Sequence, residues 1–317
     1  MLNKELILKD VLIHSFQPYA LYVKEGSSEL NSFNNSNEFS NFRLASVTKQ
    51  FIAMGIIKLV EANLLTFDTT ISNIFKDLPD YFESITILHL LNHTSGILDY
   101  EDYLEKDFKD RQLKDSDVYC FLKTTTITYF TPGTKYRYSN TGFILLGLII
   151  EKVSGMSLSD YLSEKVFSLC DMQNTMMNLE GETLIPNRVM GHIIKDGQLI
   201  EKDQYWCSAT LGDGGIYSNI SDLKKWLSYL TAHEQAYLST MFKDTTLPDG
   251  STTAYGMGMG IKKINNLTIY SHTGSTIGFN TLVLIIPSLD IQVIFLTNLG
   301  PTDTDIIRNN IYRYLQK

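Results

Sequence analysis

Between Ser46 and Leu65 the sequence carries a helical pattern with apolar residues on nearly every side: Phe51, Ile52, Ala53, Met54, Ile56, Ile57, Leu59 and Val60. A helix without a polar face must be sheathed by protein, so the other elements have to be built around this one. That requires a long chain, and 317 residues with 44% hydrophobic content can bury such a core. The same helix carries chemistry. Stepping about 100° per residue places Ser46 and Lys49 one turn apart, on a stripe shared with Ala53, Ile57 and Val60. A lysine on such a stripe is partly desolvated, which favours its neutral, proton-accepting form.

Around this helix the remaining elements can be placed. Met1–Phe16 reads as an amphipathic helix and Tyr19–Lys24 as a strand, followed by a polar, turn-forming stretch from Gly26 to Asn41. From about Thr66 to Leu184 the pattern is mainly helical, with segments at Ser84–Asn92 and Thr141–Val153 broken by turns such as Thr131-Pro132-Gly133. His192–Glu201 contains Asp196-Gly197 between short apolar flanks, a hairpin signal, and Ser221–Leu230 is an amphipathic helix. Strands are then expected at Met259–Ile264, Leu267–His272, Asn280–Pro287 and Ile291–Asn298, with a closing helix at Thr304–Leu315. The economical architecture combines α/β and all-α parts: an antiparallel sheet flanked by helices, from residues 1–65 and 190–317, with a helical domain inserted over 66–189.

Composition narrows the function. With 27 basic and 35 acidic residues the formal charge is −8, which argues against nucleic acid or an anionic membrane as partner and for a small molecule or peptide. The longest apolar run, Phe143–Ile150, is too short to span a bilayer. Cys120, Cys170 and Cys207 lack metal or disulfide spacing and are expected to be buried thiols. Charged residues in the N-terminal segment interrupt the apolar stretch a signal peptide needs, so a cytoplasmic location is expected unless an export signal was removed earlier. His89 and His93 stand at i and i+4 without a third ligand, and no metal or cofactor is expected.

Two further motifs accompany Ser46-Val47-Thr48-Lys49. Tyr138-Ser139-Asn140 follows a Pro-Gly turn and offers a phenol and an amide before an apolar helix. His272-Thr273-Gly274-Ser275 closes a strand with a glycine that lets a ligand approach the backbone. Each motif has a decoy or a bland alternative. Ser221-Asp222-Leu223-Lys224 repeats S-x-x-K on a solvated face, with Ser221 as an expected N-cap, and Tyr217-Ser218-Asn219 repeats the tripeptide just before that exposed helix. Tyr255–Gly260 superficially suggests a nucleotide loop, but it lacks G-K-[ST], and packing explains its glycines better.

Taken in order, S-x-x-K at Ser46, Y-S-N at Tyr138 and H-T-G at His272 resemble the serine penicillin-recognising hydrolases: class C β-lactamases, DD-peptidases and related esterases. The Y-S-N and H-T-G forms are similar to the DD-carboxypeptidase branch. His93-Thr94-Ser95-Gly96, Gly212–Asp222 and Tyr255–Gly258 extend the resemblance over nearly the whole chain. It implies a β-lactamase/transpeptidase-like fold and a serine hydrolase acting on a D-alanyl peptide, a β-lactam or a small ester. Ser46 would be acylated, and Lys49 and Tyr138 would share the proton transfers, either of them being the base. Asn140 would hydrogen-bond Lys49 and the substrate amide. His272 would hold the tyrosine and the substrate's polar end beside Gly274, and the backbone N–H groups of Ser46 and Ser275 would form the oxyanion hole. The alternative is a penicillin-binding sensor, acylated without turnover. The sequence offers no equivalent of the arginine that some DD-carboxypeptidases direct at the substrate carboxylate.

Overall fold

Apolar runs from the two ends of the chain pair with each other. In the computed structural model the strands are β1 (Tyr19–Glu25), β2 (Ser28–Asn34), β3 (Phe42–Arg43), β4 (Met176–Met177), β5 (His192–Lys195), β6 (Gln198–Glu201), β7 (Ile216–Ser218), β8 (Gly260–Ile264), β9 (Leu267–Thr276), β10 (Phe279–Ile286), β11 (Ile291–Thr297) and β12 (Leu299–Gly300). The main helices are α1 (Lys49–Glu61), α2 (Ile87–Leu91), α3 (Asp115–Thr124), α4 (Asn140–Ser154), α5 (Leu158–Lys165), α6 (Ile220–Ala232) and α7 (Asp305–Leu315). The structure describes Ile7 and residues 18–108, 110–179, 183–300 and 302–316. The helix expected over Met1–Phe16 lies outside the described residues except for Ile7, which is buried in the sheet's second core.

One six-stranded sheet, in the order β2-β1-β11-β10-β9-β8, is antiparallel throughout. Its side chains sort by the strand period of two. Tyr22, Val283, Ile285, Ile294 and Leu296 enter the main core with α1, α4, α5 and α6, whereas Leu21, Val23, Leu282, Leu284, Val293 and Phe295 face Ile307, Ile311 and Leu315 of α7. Because both faces are covered, β10 and β11 read as continuous apolar runs. The central helix is sheathed as its sequence requires, and every residue from Lys49 to Ile57 is buried. One hydrophobic cluster runs from the sheet through α1 into the helices of residues 66–189.

Several local expectations are corrected. The polar stretch after Gly26 contains β2, an edge strand whose Ser and Asn side chains reach solvent while its backbone pairs with β1. Edge pairing does not need the β-branched residues that make a strand legible. The N-cap of α6 is Asn219, which accepts from Asp222 N–H, while Ser221 N–H donates to Glu38 O. None of the three thiols is fully buried: Cys120 lies on the exposed face of α3, opposite its buried Val118 and Leu122, and the other two are partly exposed. The hairpin at β5–β6 forms as expected, with positive φ at both Asp196 and Gly197.

β9 is longer than its apolar run, continuing through His272, Gly274 and Ser275 to Thr276. Its glycine makes the approach to the Ser46 turn possible. A Cβ at Gly274 would stand 2.1 Å from Leu44 O and 2.3 Å from Thr281 Oγ1. We predict that Gly274→Ala destabilises the fold by about 1–3 kcal/mol, as overpacking does. Urea unfolding measures this; an unchanged midpoint would mean that β9 does not press on the Ser46 turn.

Candidate active site

Ser46 lies in a 3-10 turn, Ala45–Thr48, that feeds directly into α1. The preceding Ala45 takes φ +48°, a left-handed conformation that costs a non-glycine residue free energy and that the surroundings must impose. They do so from two sides: Leu44 N–H donates to Ile216 O at 2.8 Å, and Thr281 Oγ1 donates to Leu44 O at 2.9 Å. The turn is thereby sewn between β7 and β10.

Lys49, one turn on, is 0% exposed. Its Nζ donates to Ser46 Oγ at 3.1 Å, to Asn140 Oδ1 at 2.8 Å and to Asp213 O at 2.9 Å. Those three oxygens use all three donors of an ammonium group, which is what a buried charge needs to be tolerated. The same Nζ lies 5.0 Å from the ring centroid of Tyr138 and 5.6 Å from that of Phe143. If the amine loses a proton, the lone pair it gains has Ser46 Oγ in hydrogen-bonding reach.

Each acceptor is fixed by its own neighbours. Asn140 starts α4, and Ser139, which accepts from Gly142 N–H, caps that helix, so the amide is free for Lys49. Asn140 N–H donates to Asp99 Oδ2 at 2.6 Å and its Nδ2 to Glu101 Oε1 at 3.0 Å. The loop carrying Asp213 is clamped all round. Leu211 N–H donates to Asp115 Oδ1, Arg43 Nε donates to Gly214 O, Ile216 N–H donates to Thr48 Oγ1, and Tyr100 OH donates to Asp213 Oδ2 at 2.8 Å. Burial and the nearby Asp213 push the Asp115 carboxyl up to about 8. Burial, Asp213 and Asp99 push Glu101 up to about 7.

Tyr138 presents a buried hydroxyl that has no hydrogen-bonding partner. Its ring is held by His93, whose centroid is 4.3 Å away and whose Nδ1 accepts Ser139 N–H at 3.1 Å. His93 is fully buried and takes φ +60°; burial and the Lys49 charge keep its pKa well below the ordinary value. His272 does not hydrogen-bond Tyr138 as the resemblance implied. Its Nδ1 donates to Thr273 O at 2.7 Å, which leaves Nε2 to accept from Tyr255 OH at 2.9 Å, and its ring centroid lies 6.1 Å from that of Tyr138. Tyr255 supplies the phenol that holds it.

Ser46, Asn140 and Ser275 line one pit of about 50 Å³ with Arg43, Glu101 and Asp213. The pit adjoins a cavity of about 460 Å³ walled by Glu101, Glu105, Tyr205, Trp206, Ser275 and Ile277. All seven residues singled out in the sequence therefore converge on one region, with Lys49 and Tyr138 behind the serine and His272 and Gly274 on the adjoining strand. The decoys stay away: Tyr217 is in the core with its hydroxyl accepting from Arg188, and Lys224 pairs with Glu29 at the surface. His89 and His93 do not share a ligand position, because His89 Nδ1 accepts Thr86 N–H at the start of α2. Residues that sequence reasoning missed are Arg43, Tyr100, Glu101, Asp213 and Tyr255. Of these, Tyr255 sat in a recognisable pattern, before Gly256 and Gly258, and Asp213 in the glycine-rich run Gly212–Asp222, though neither was given a role.

The neutral state of His272 has a pH consequence. Burial and the Lys49 charge lower it from 6.5 to about 3, so between those values the unfolded chain binds a proton that the folded one refuses. Stability is present above pH 6.5 and is lost as pH falls towards 3, by up to about 1.4 kcal/mol per pH unit. We predict that His272→Asn removes this part of the slope in urea unfolding measured across that range. Parallel wild-type and variant curves would contradict a buried neutral imidazole.

Known proteins share this fold. A family model described as Beta-lactamase matches residues 13–316. A penicillin-binding protein of Bacillus subtilis (strain 168) is 29% identical over 296 residues, covering 87% of this chain and 62% of the relative. A D-aminopeptidase of Gluconobacter oxydans (strain 621H) is 24% identical over 270 residues, covering 81% of this chain and 49% of the relative. The chain thus spans only about half to three fifths of these curated relatives. Among solved structures, a penicillin-binding protein from Bacillus halodurans superposes with a TM-score of 0.83 at 26% identity, covering 99% of both chains.

Proposed function

The chain belongs to the β-lactamase family, and on that footing we propose that it is a serine hydrolase working through an acyl-enzyme on Ser46, with amide or ester substrates. The observation that carries this is the fully buried Lys49, whose Nζ reaches Ser46 Oγ at 3.1 Å and has oxygens as its other partners.

Ser46 Oγ adds to the substrate carbonyl as its proton passes to the Lys49–Tyr138 pair. The developing oxyanion is met by the backbone N–H groups of Ser46 and Ser275, where one such donor is typically worth about 3 kcal/mol of barrier. Collapse breaks the carbonyl–leaving group bond, and the proton held by the pair goes to the departing nitrogen or oxygen. Water then adds to the Ser46 ester, gives its proton to the same pair and releases the acid, restoring the serine hydroxyl. The orphaned hydroxyl of Tyr138 supports its part in this relay. Asn140 fixes Lys49 and offers its amide edge to the substrate, while His272 holds Tyr255 and stiffens the edge of β9 on which Gly274 and Ser275 lie.

The names of the relatives favour D-amino-acid amides and peptides as substrates, with β-lactams acylating the same serine. Those printed as penicillin-binding proteins also favour a second reading, in which the acyl-enzyme forms and persists. Intact-protein mass spectrometry after exposure to a β-lactam separates the two. Transient labelling of Ser46 with product release is expected of the hydrolase; a stable adduct indicates the sensor. We predict that Ser46→Ala abolishes labelling and lowers hydrolysis of p-nitrophenyl esters at least about 10³-fold. Hydrolysis that survives the substitution would overturn the assignment.

A further inference from the structure

The pit that holds Ser46 shares walls with the larger cavity: Glu101, Cys207, Ser275 and Thr276 line both. Glu105, Tyr205, Trp206 and Ile277 line the cavity alone and so mark its outer end. At that end Tyr205 OH donates to Glu105 Oε1 at 2.7 Å, joining a residue of the helical insert to one from the loop before β7, 100 positions away. Both side chains are exposed, and the acyl-transfer steps use neither.

The backbones beneath this bond are tied down, which leaves movement to the side chains. Leu104 N–H donates to Tyr100 O at 2.9 Å just before the turn that carries Glu105, and the Trp206 ring meets Tyr100 edge-on with centroids 5.8 Å apart. Leu113 N–H donates to Trp206 O at 2.7 Å, and Tyr205 N–H to Ser208 Oγ at 2.9 Å. Water competes for both ends of a hydrogen bond between exposed groups, so such a bond closes without locking. The bond to Glu105 also holds the Tyr205 hydroxyl above the usual phenol range, which keeps the donor protonated at neutral pH.

The proton relay decides which part of a substrate meets this bond. Lys49 and Tyr138 hand the proton to the leaving group, and neither lines the pit or the cavity, so the leaving group departs on their side. The acyl group then extends past Ser275 into the cavity. We propose that the hydrogen bond between Tyr205 and Glu105 is a strap across the outer end of this acyl-group cavity, and that it sets the length of acyl group the site accepts. This rests on the acyl-enzyme reading of Ser46. Trp206, Ile277 and the Tyr205 ring give the cavity an apolar wall suited to a short carbon chain, whereas a long chain has to displace the strap. The strap needs an acceptor at position 105 but no charge, so glutamine serves there and alanine does not.

The test measures kcat/KM of the full chain for p-nitrophenyl acetate and for p-nitrophenyl dodecanoate below its solubility limit, in wild type, Tyr205→Phe, Glu105→Ala and Glu105→Gln. The ratio of dodecanoate to acetate cancels any change common to both esters, including a loss of folded protein. Tyr205→Phe and Glu105→Ala should each raise that ratio about fivefold or more, through KM of the long ester, and Glu105→Gln should leave it within about twofold of wild type. A ratio unchanged by Tyr205→Phe or Glu105→Ala, dodecanoate left unhydrolysed by every form, or a Glu105→Gln ratio as high as that of Glu105→Ala would overturn the strap. Acetate hydrolysis that is absent, or that survives Ser46→Ala, would instead overturn the catalytic reading on which the strap rests.

Discussion

A lysine side chain is buried at the centre of this molecule, and much of the architecture around it exists to make that tolerable. An unpaired ammonium in a protein interior costs several kcal/mol, and it persists only when fixed acceptors replace its water. Lys49 receives three, and each comes from a different region: Ser46 from the turn before α1, Asn140 from the start of α4, Asp213 from the loop before β7. The charge therefore works as an assembly point. Moving any one region would leave an unsatisfied donor next to the serine. The carboxyl groups behind this shell, Asp99 and Asp115, accept backbone N–H groups of Asn140 and Leu211 and so shape the loops that carry the lysine's acceptors.

The second constraint is proximity. The Ser46 turn and β9 are brought so close that only glycine fits at position 274, and the turn itself carries Ala45 in a left-handed conformation. Strain of this kind survives because the surrounding hydrogen bonds over-determine it. In return, the serine faces an extended strand whose edge can align a substrate. Behind the serine, Tyr138 is positioned by a tilted ring contact with a neutral His93, and His272 is positioned through Tyr255. Two imidazoles thus act as neutral spacers, both kept uncharged by burial near Lys49.

What the sequence made legible followed the range of the interaction. Lys49 could be read because helical periodicity alone puts it on an apolar stripe, and the strands of the sheet because apolar runs bounded by turns such as Asn265-Asn266 are local signals. Ser46 and Tyr138 were separable from their decoys by what flanks them. Asp213 lies in the run Gly212–Asp222 that carried part of the resemblance, but its role was not legible, since it holds Lys49 through a backbone carbonyl, and backbone groups leave no side-chain signature. Glu101 and Tyr100 sit in the acidic run Asp99-Tyr100-Glu101-Asp102, which reads as a solvated loop until the fold turns it towards Asn140. The partner of His272 depended on β9 lying beside the loop that carries Tyr255, a contact 17 residues away in sequence. β2 escaped because its two apolar residues, Leu30 and Phe33, stand among polar ones, and an edge strand can still pair through its backbone.

The most direct measurement of the central claim is the rate of Ser46 acylation by a fluorescent penicillin, followed by stopped flow in wild type and in Lys49→Met, with circular dichroism to establish that the variant is folded. Methionine fills the lysine's place with a side chain that cannot take up a proton. If the buried amine activates Ser46, the folded variant should acylate about 10²–10⁴-fold more slowly than wild type. A folded variant that acylates within tenfold of wild type would contradict it.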